Sequence, residues 1–176
     1  MNNQEHLSRF LVLTVLVLAA AATRLLPYYF QSGWNFTAVG ALAVFAGSQF
    51  KNKSLAFLVP LAAMAISDLF LGNGFNKMVY AGFIAMVACG VLIQNKINTQ
   101  NVALASIAGA VIFFLITNFA FLYTWYPHNL QGIIQSYLAG LPFLRNMIIA
   151  DAIYGLALFG GFYLLEKRFP QLSSIK

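Results

Sequence analysis

Charge is what this chain has least of. Only 8% of its 176 residues are charged, four of them acidic, while 61% are hydrophobic. A soluble domain carries about 25% charged residues, so too few are present to cover a water-facing surface. The reading is one integral membrane domain spanning 1–176. Other shortages exclude chemistry. A single cysteine, Cys89, excludes an intrachain disulfide framework and any paired-cysteine metal site. Two histidines, His6 and His128, are too few for a multi-histidine metal centre. The sequence holds no G-x-x-x-x-G-K-[ST], HExxH, CxxC or GxSxG, which removes phosphate-loop ATP hydrolysis and the common protease and esterase signatures. No metal or cofactor is expected, and no enzymatic activity. The ten basic residues are scattered singly or in pairs, so no basic stripe exists for a nucleic acid to follow.

What is present is apolar sequence in blocks. A helix needs about 20 mostly apolar residues to cross the hydrocarbon. Six segments qualify or come close: 8–27, 36–50, 54–71, 78–95, 101–124 and 146–166. The second is short, implying a tilted or partial crossing, and the third contains Pro60, which membrane helices tolerate. The apolar run after Arg9 continues into RLLP without a polar spacer, so it is read as helix one rather than a secretory leader. With both termini cytoplasmic, Arg9, Lys51, Lys53, Lys96, Lys167, Arg168 and Lys176 lie inside; Arg24, Lys77 and Arg145 lie outside. That bias obeys the positive-inside rule. The expected architecture is therefore an all-α membrane protein with six transmembrane helices and cytoplasmic termini.

Polar groups within such helices are costly and mark candidate sites. Counted from the expected outer helix ends, Arg24, Asp68, Asn118 and Asp151 fall roughly 4–9 Å below the outer surface, at 1.5 Å per residue. Trp34 and Asn35 belong to the same layer, and Asn35 or Thr37 is positioned to cap helix two. Phe114, Asn118, Phe121 and Trp125 fall on one helical face, as do Asp151 and Tyr154. Amide and carboxylate flanked by rings suit a planar or aromatic ligand. The expected ligand contacts are Trp34, Asn35, Phe114, Asn118, Trp125, Asp151 and Tyr154. Arg24–Asp68 and Arg145–Asp151 are expected as structural ion pairs.

Between helices five and six, Leu130, Ile133, Ile134, Tyr137, Leu138 and Leu141 form a one-sided stripe bracketed by Pro127 and Pro142. Segment 128–141 is therefore expected as a short amphipathic helix in the outer loop, either lying in the interface or closing over the outer mouth as a lid with Gly132 and Gly140 as hinges. Cys89 follows Ala81 and Ala85 at four-residue spacing, a small-residue packing stripe.

The stretches RLLPYYFQSGWNFTAVGALAVFAG, PLAAMAISDLFLG, TNFAFLYTWYP and LPFLRNMIIADAIYGLALFG, within residues 20–165, resemble an uncharacterised bacterial membrane family described as transport proteins. That family in turn looks like the substrate-binding S components of energy-coupling factor (ECF) vitamin transporters. The family pattern has His where this chain has Tyr28, and Pro where it has Ala38. The S-component docking pattern Ala-x-x-x-Ala is approximated only by Ala19-x-x-x-Thr23. The resemblance implies a bacterial inner-membrane subunit that captures a small ring-containing vitamin or precursor. It also implies an ECF-type coupling subunit and ATPases on separate chains. The competing expectations are a membrane scaffold whose polar layer only locks helices, and an enzyme acting on a lipid-like substrate.

Overall fold

The computed structural model describes residues 3–25, 36–72 and 74–173. Among these every regular element is helical. The helices are α1 (Asn3–Ala22), α2 (Val39–Gln49), α3 (Lys53–Leu71), α4 (Lys77–Leu92), α5 (Thr99–Thr117), α6 (Leu130–Gly155) and α7 (Gly161–Arg168). A π-helical stretch, Leu156–Gly160, joins α6 to α7, so Leu130–Arg168 is one unbroken rod of 39 residues. α3, α5 and this rod are long and apolar enough to cross a membrane; α1, α2 and α4 are shorter apolar helices. The chain is a membrane protein by these three helices.

Asparagine sets most of the helix starts. The side chains of Asn52, Asn76, Asn98 and Asn129 accept backbone N–H groups in the first turns of α3, α4, α5 and α6, satisfying donors that have no partner within the helix. α3 ends on Gly72 in the left-handed conformation, φ 66°, where a side chain would be strained. Pro60 lies inside α3, as the sequence suggests.

α2 is the exception and the hub. Eleven residues give it about 16 Å, roughly half a bilayer core. Ten of those residues, Gly40 to Gln49, are buried. Its backbone runs against α4 through two glycines. A Cβ on Gly47 would lie 2.2 Å from the Val87 carbonyl oxygen, and one on Gly90 would lie 2.4 Å from that of Val44. The close approach thus rests on Gly47 and Gly90 rather than on the Ala81–Ala85–Cys89 stripe, of which Ala81 is exposed. Cys89 is buried in contact with the cluster of Val44 and Ala105.

The two chain ends meet at one end of the bundle. The Arg9 guanidinium donates to Glu166 at 2.7 Å, to Gln49 at 3.0 Å and to the Leu172 carbonyl, and stacks over Phe162 at 5.0 Å. In the sequence Arg9 reads only as a topological charge. Pairing across 157 residues leaves no local signal.

Two expected boundaries move. α5 stops at Thr117 instead of continuing to 124. Asn118 leaves the helical region, and the Tyr123 hydroxyl donates to the Thr117 carbonyl, replacing a bond the helix gives up. The expected lid is also absent as a separate element. Segment 130–141 runs without interruption into the rod, through Pro142. Only part of the expected face turns inward: Gly132, Ser136 and Gly140 are buried and Ile133 and Tyr137 half-buried, while Leu130, Ile134, Leu138 and Leu141 are exposed. Small residues at four-residue spacing let helices approach closely where lipid covers the apolar side. Gly132 and Gly140 are contact points rather than hinges.

Gly47→Leu is expected to lower thermal stability in detergent by several kcal/mol, since overpacking costs about 1–3 kcal/mol even where side chains can yield, and here the obstacle is backbone. An unchanged melting temperature for G47L, measured beside Gly74→Leu in open space, would remove the α2–α4 contact as the fold's tightest point.

Candidate functional site

At the end of the bundle opposite the chain termini, α5 stops at Asn118 and α2 begins at Val39. Because α2 starts partway along the bundle, a gap remains above it. It forms a cavity of about 440 Å³, bordered by Arg24, Gly40, Phe113, Phe114, Asn118 and Tyr123, with Thr37, Phe143 and Met147 among its other neighbours.

Its polar members are held differently. Arg24 is locked: it donates to Asp68 at 2.6 Å, to the Ser67 hydroxyl and to the Met64 carbonyl. Tyr80 donates to the other Asp68 oxygen at 2.8 Å. Both charges are nearly buried and fully engaged. The expected Arg24–Asp68 pair is present, with Tyr80 and Ser67 as members the sequence did not single out. Asn118 caps α5, its amide nitrogen donating to the Phe114 carbonyl at 3.1 Å and to Thr117 Oγ1 at 3.2 Å. Its carbonyl oxygen lies against Gly140, where a Cβ would come within 2.5 Å of it. Phe114 is buried and meets the Tyr137 ring at 5.5 Å. Burial, with a smaller contribution from Tyr126, pushes the Tyr123 phenol above its ordinary pKa, so at neutral pH it remains a hydroxyl donor.

Asp151 does not share this cavity. Along the rod it lies eleven residues, about 16 Å, from Gly140, the residue against which Asn118 packs. The expected common layer counted Asp151 from a helix start near residue 146. The rod actually starts at Leu130, so that count placed Asp151 too close to the end. It is 2% exposed, and its Oδ1 accepts the Ala41 N–H at 2.8 Å. Both oxygens sit where a Cβ on Gly40 would be, at 2.2 and 2.3 Å. Oδ2 has no hydrogen-bond partner. Asp151 is thus the cap that α2 lacks in its own flanking residues: its N-cap, Ala38, makes no side-chain cap bond, and Thr23 Oγ1 accepts the Ala38 N–H at 3.0 Å. Thr37 does not cap α2, contrary to expectation. A carboxylate suits this place because unpaired N–H groups and the helix dipole make a helix start electropositive.

The remaining expectations divide. Arg145 is exposed and forms no ion pair among the described residues; six residues of helix put it on a different side of the rod from Asp151. Trp125 is 70% exposed and belongs to an aromatic loop cluster with Tyr123 and Tyr126. The stripe Phe114–Asn118–Phe121–Trp125 ends with α5, so Phe121 and Trp125 leave the face that Phe114 occupies. Tyr154 packs on Phe36, ring centroids 5.9 Å apart, and borders no part of the cavity. Trp34 and Asn35, with Tyr28, Tyr29 and Phe30, lie outside the described residues. Among the described residues no group of three His, Cys, Asp or Glu side chains could hold a metal ion.

Asp151→Asn keeps an acceptor for the Ala41 N–H and is expected to remain folded. Asp151→Leu removes that acceptor and should cost about 0.5–2 kcal/mol, the usual loss of a cap, plus the strain of a bulkier side chain against Gly40. Thermal unfolding of the two variants checks this ordering; equal melting temperatures would mean that the carboxyl does not hold α2.

No curated protein and no solved structure matches this chain. A family model matches residues 4–172, nearly its whole length. The chain therefore belongs to DUF6580, a family of unknown function.

Proposed function

We propose that this protein is the substrate-capture subunit of a bacterial uptake system for a small ring-containing nutrient, a vitamin or a vitamin precursor, resembling ECF S components. In this reading the chain crosses the inner membrane six times with both termini cytoplasmic. The cavity beside Asn118 opens towards the outside, and a separate coupling subunit with its ATPases supplies the energy.

The observation that supports it is the composition of the cavity. Its volume lies in the range of about 300–1,000 Å³ typical of small-molecule sites. Phe113, Phe114 and Phe143 supply ring surface, and Asn118, Thr37 and Tyr123 supply a few hydrogen-bonding groups. Arg24 lies at its edge already neutralised by Asp68, which favours a ligand held by hydrogen bonds and stacking over one held by charge. Asn118, Tyr123 and Phe114 are the proposed principal contacts. Gly40, on which Asp151 packs from outside the cavity, lies at its inner edge; release towards the other side would require that contact to open.

The scaffold reading has one observation of its own: Arg24, Asp68, Ser67 and Tyr80 form a hydrogen-bonded network that locks three helices without a ligand. A thermal-shift screen separates the two readings. A nutrient that binds only the folded protein raises its apparent stability, by about 2.7 kcal/mol at a hundred times Kd. The capture reading expects at least one ring-bearing vitamin or precursor to stabilise the wild type, and Asn118→Leu to weaken that ligand about tenfold, the cost of leaving a buried polar partner unpaired. No stabilisation across the panel, with N118L clearly less stable than the wild type, would favour the scaffold.

A further inference from the structure

A second cavity, larger than the first, lies on the other side of Asp151. It is a groove of about 740 Å³ between the first half of α5 and the later part of the rod. Both bounding helices are long and apolar enough to cross a membrane. The groove exists because the rod carries little bulk there. The π-helical stretch Leu156–Gly160 interrupts the regular helix, and a Cβ added to Gly155 or Gly160 would meet nothing within 4 Å. Its middle is apolar, bordered by Val102, Ala103, Leu156 and Phe159, and it opens sideways past the exposed Ile107 and Leu156. At the deep end Asp151 turns both carboxyl oxygens away, towards Gly40 and Ala41, so the groove meets no free acceptor there.

Its mouth is polar, and basic residues adjoin its lining. Gln49, Asn98 and Thr99 border it, beside Tyr163 and Glu166. Glu166 is neutralised by Arg9. The Lys167 ammonium stands 4.6 Å from the centroid of the Tyr163 ring. Lys96 immediately precedes Ile97 and Asn98 of the lining, and Arg168 follows Lys167. An apolar slot open to the hydrocarbon, with cations beside its mouth that form no ion pair among the described residues, has the form that holds an anionic lipid: chain in the slot, phosphate at the mouth.

We propose that this groove is a specific site for an anionic phospholipid, with one acyl chain between α5 and the rod and the headgroup phosphate held by Lys96 and Lys167. The inference depends on the membrane setting of α5 and the rod and not on nutrient capture. No nutrient enters its test, so its failure would leave the capture reading standing.

The test uses the full-length protein purified and delipidated in detergent, with phosphatidylglycerol, phosphatidylcholine and water-soluble glycerol phosphate as separate additions. Thermal unfolding reads stabilisation, and native mass spectrometry counts retained lipid. The expected result is stabilisation and one retained molecule with phosphatidylglycerol, far less with phosphatidylcholine and none with glycerol phosphate. Lys96→Gln and Lys167→Gln should each weaken the phosphatidylglycerol effect about fivefold, the equivalent of about 1 kcal/mol per basic residue, while Lys77→Gln at the opposite end leaves it unchanged. Gly155→Leu and Gly160→Leu fill the slot without a backbone clash and should abolish retention of the lipid. Equal stabilisation by both lipids would overturn the proposal, as would retention undiminished in the filled variants. A response to glycerol phosphate alone would overturn it too, by assigning the effect to the headgroup without the groove.

Discussion

The hydrogen bond from the Ala41 N–H to Asp151 supports the most exposed weakness of the fold: a helix that begins inside the bundle. α2 is too short to reach from one side of a bilayer to the other, and the start of any helix carries N–H groups without partners. In water those groups would be solvated. Among apolar helices they must be met by protein, because leaving them bare costs about as much as a lost hydrogen bond or more. Thr23 and Asp151 meet two of them from α1 and the rod. The position of α2 is therefore set by side chains from two other helices, while α3 to α6 each start behind an asparagine of their own.

The rest of the architecture follows from a short helix anchored in this way. Because α2 is buried along nearly its whole length, its neighbours close around it, and close approach on the α4 side demands glycine at 47 and 90. Because α2 begins late, space remains between Gly40 and Asn118 at one end of the bundle. Because the rod thins at Gly155–Gly160, space also remains between it and α5 towards the other end. Asp151 borders the second space, and its oxygens lie against Gly40, which borders the first. One residue contact separates two cavities.

Much of this was legible in the sequence where the signal is local. The apolar blocks at 54–71 and 78–95 match α3 and α4 to within a few residues, since hydropathy marks their limits. The pairing of Arg24 with Asp68 was legible too, because two opposite charges inside apolar helices have few ways to avoid each other's company. Signals failed where a tertiary contact overrides a local one. Pro142 reads as a break, yet the rod passes through it, for a proline removes one backbone bond while packing along Gly132, Ser136 and Gly140 supports the whole segment. The stripe of Leu130, Ile133, Ile134, Tyr137, Leu138 and Leu141 reads as a face that water would drive inward, yet only Ile133 and Tyr137 are even half-buried. In lipid the rule inverts, and the small residues pack. Asn118 reads as a mid-helix residue and acts as a terminus, since Tyr123 reaches back to take the carbonyl that the helix releases. The Arg9–Glu166 pair has no sequence signature at all.

The choice of a carboxylate at position 151 carries a physical consequence beyond capping. An asparagine or a serine could accept the same N–H without bringing a carboxyl group into the bundle. Asp151 instead keeps a second oxygen, buried and without a donor, in surroundings where unpaired polar atoms are expensive. A contact that leaves such an atom unsatisfied is held less deeply than the Arg24–Asp68 network, in which each carboxylate oxygen has a partner. The bundle thus combines a firm lock at Arg24 with a weaker closure at Asp151, and the weaker one stands between the two cavities. If the molecule moves, separation of α2 from the rod at Gly40 gives up one hydrogen bond and exposes an oxygen that gains a partner on opening. Separation of α1 from α3 would break an ion pair and strand a charge, at about 3–5 kcal/mol. Counted by polar contacts alone, α1 is held to α3 more firmly than the start of α2 is held to the rod.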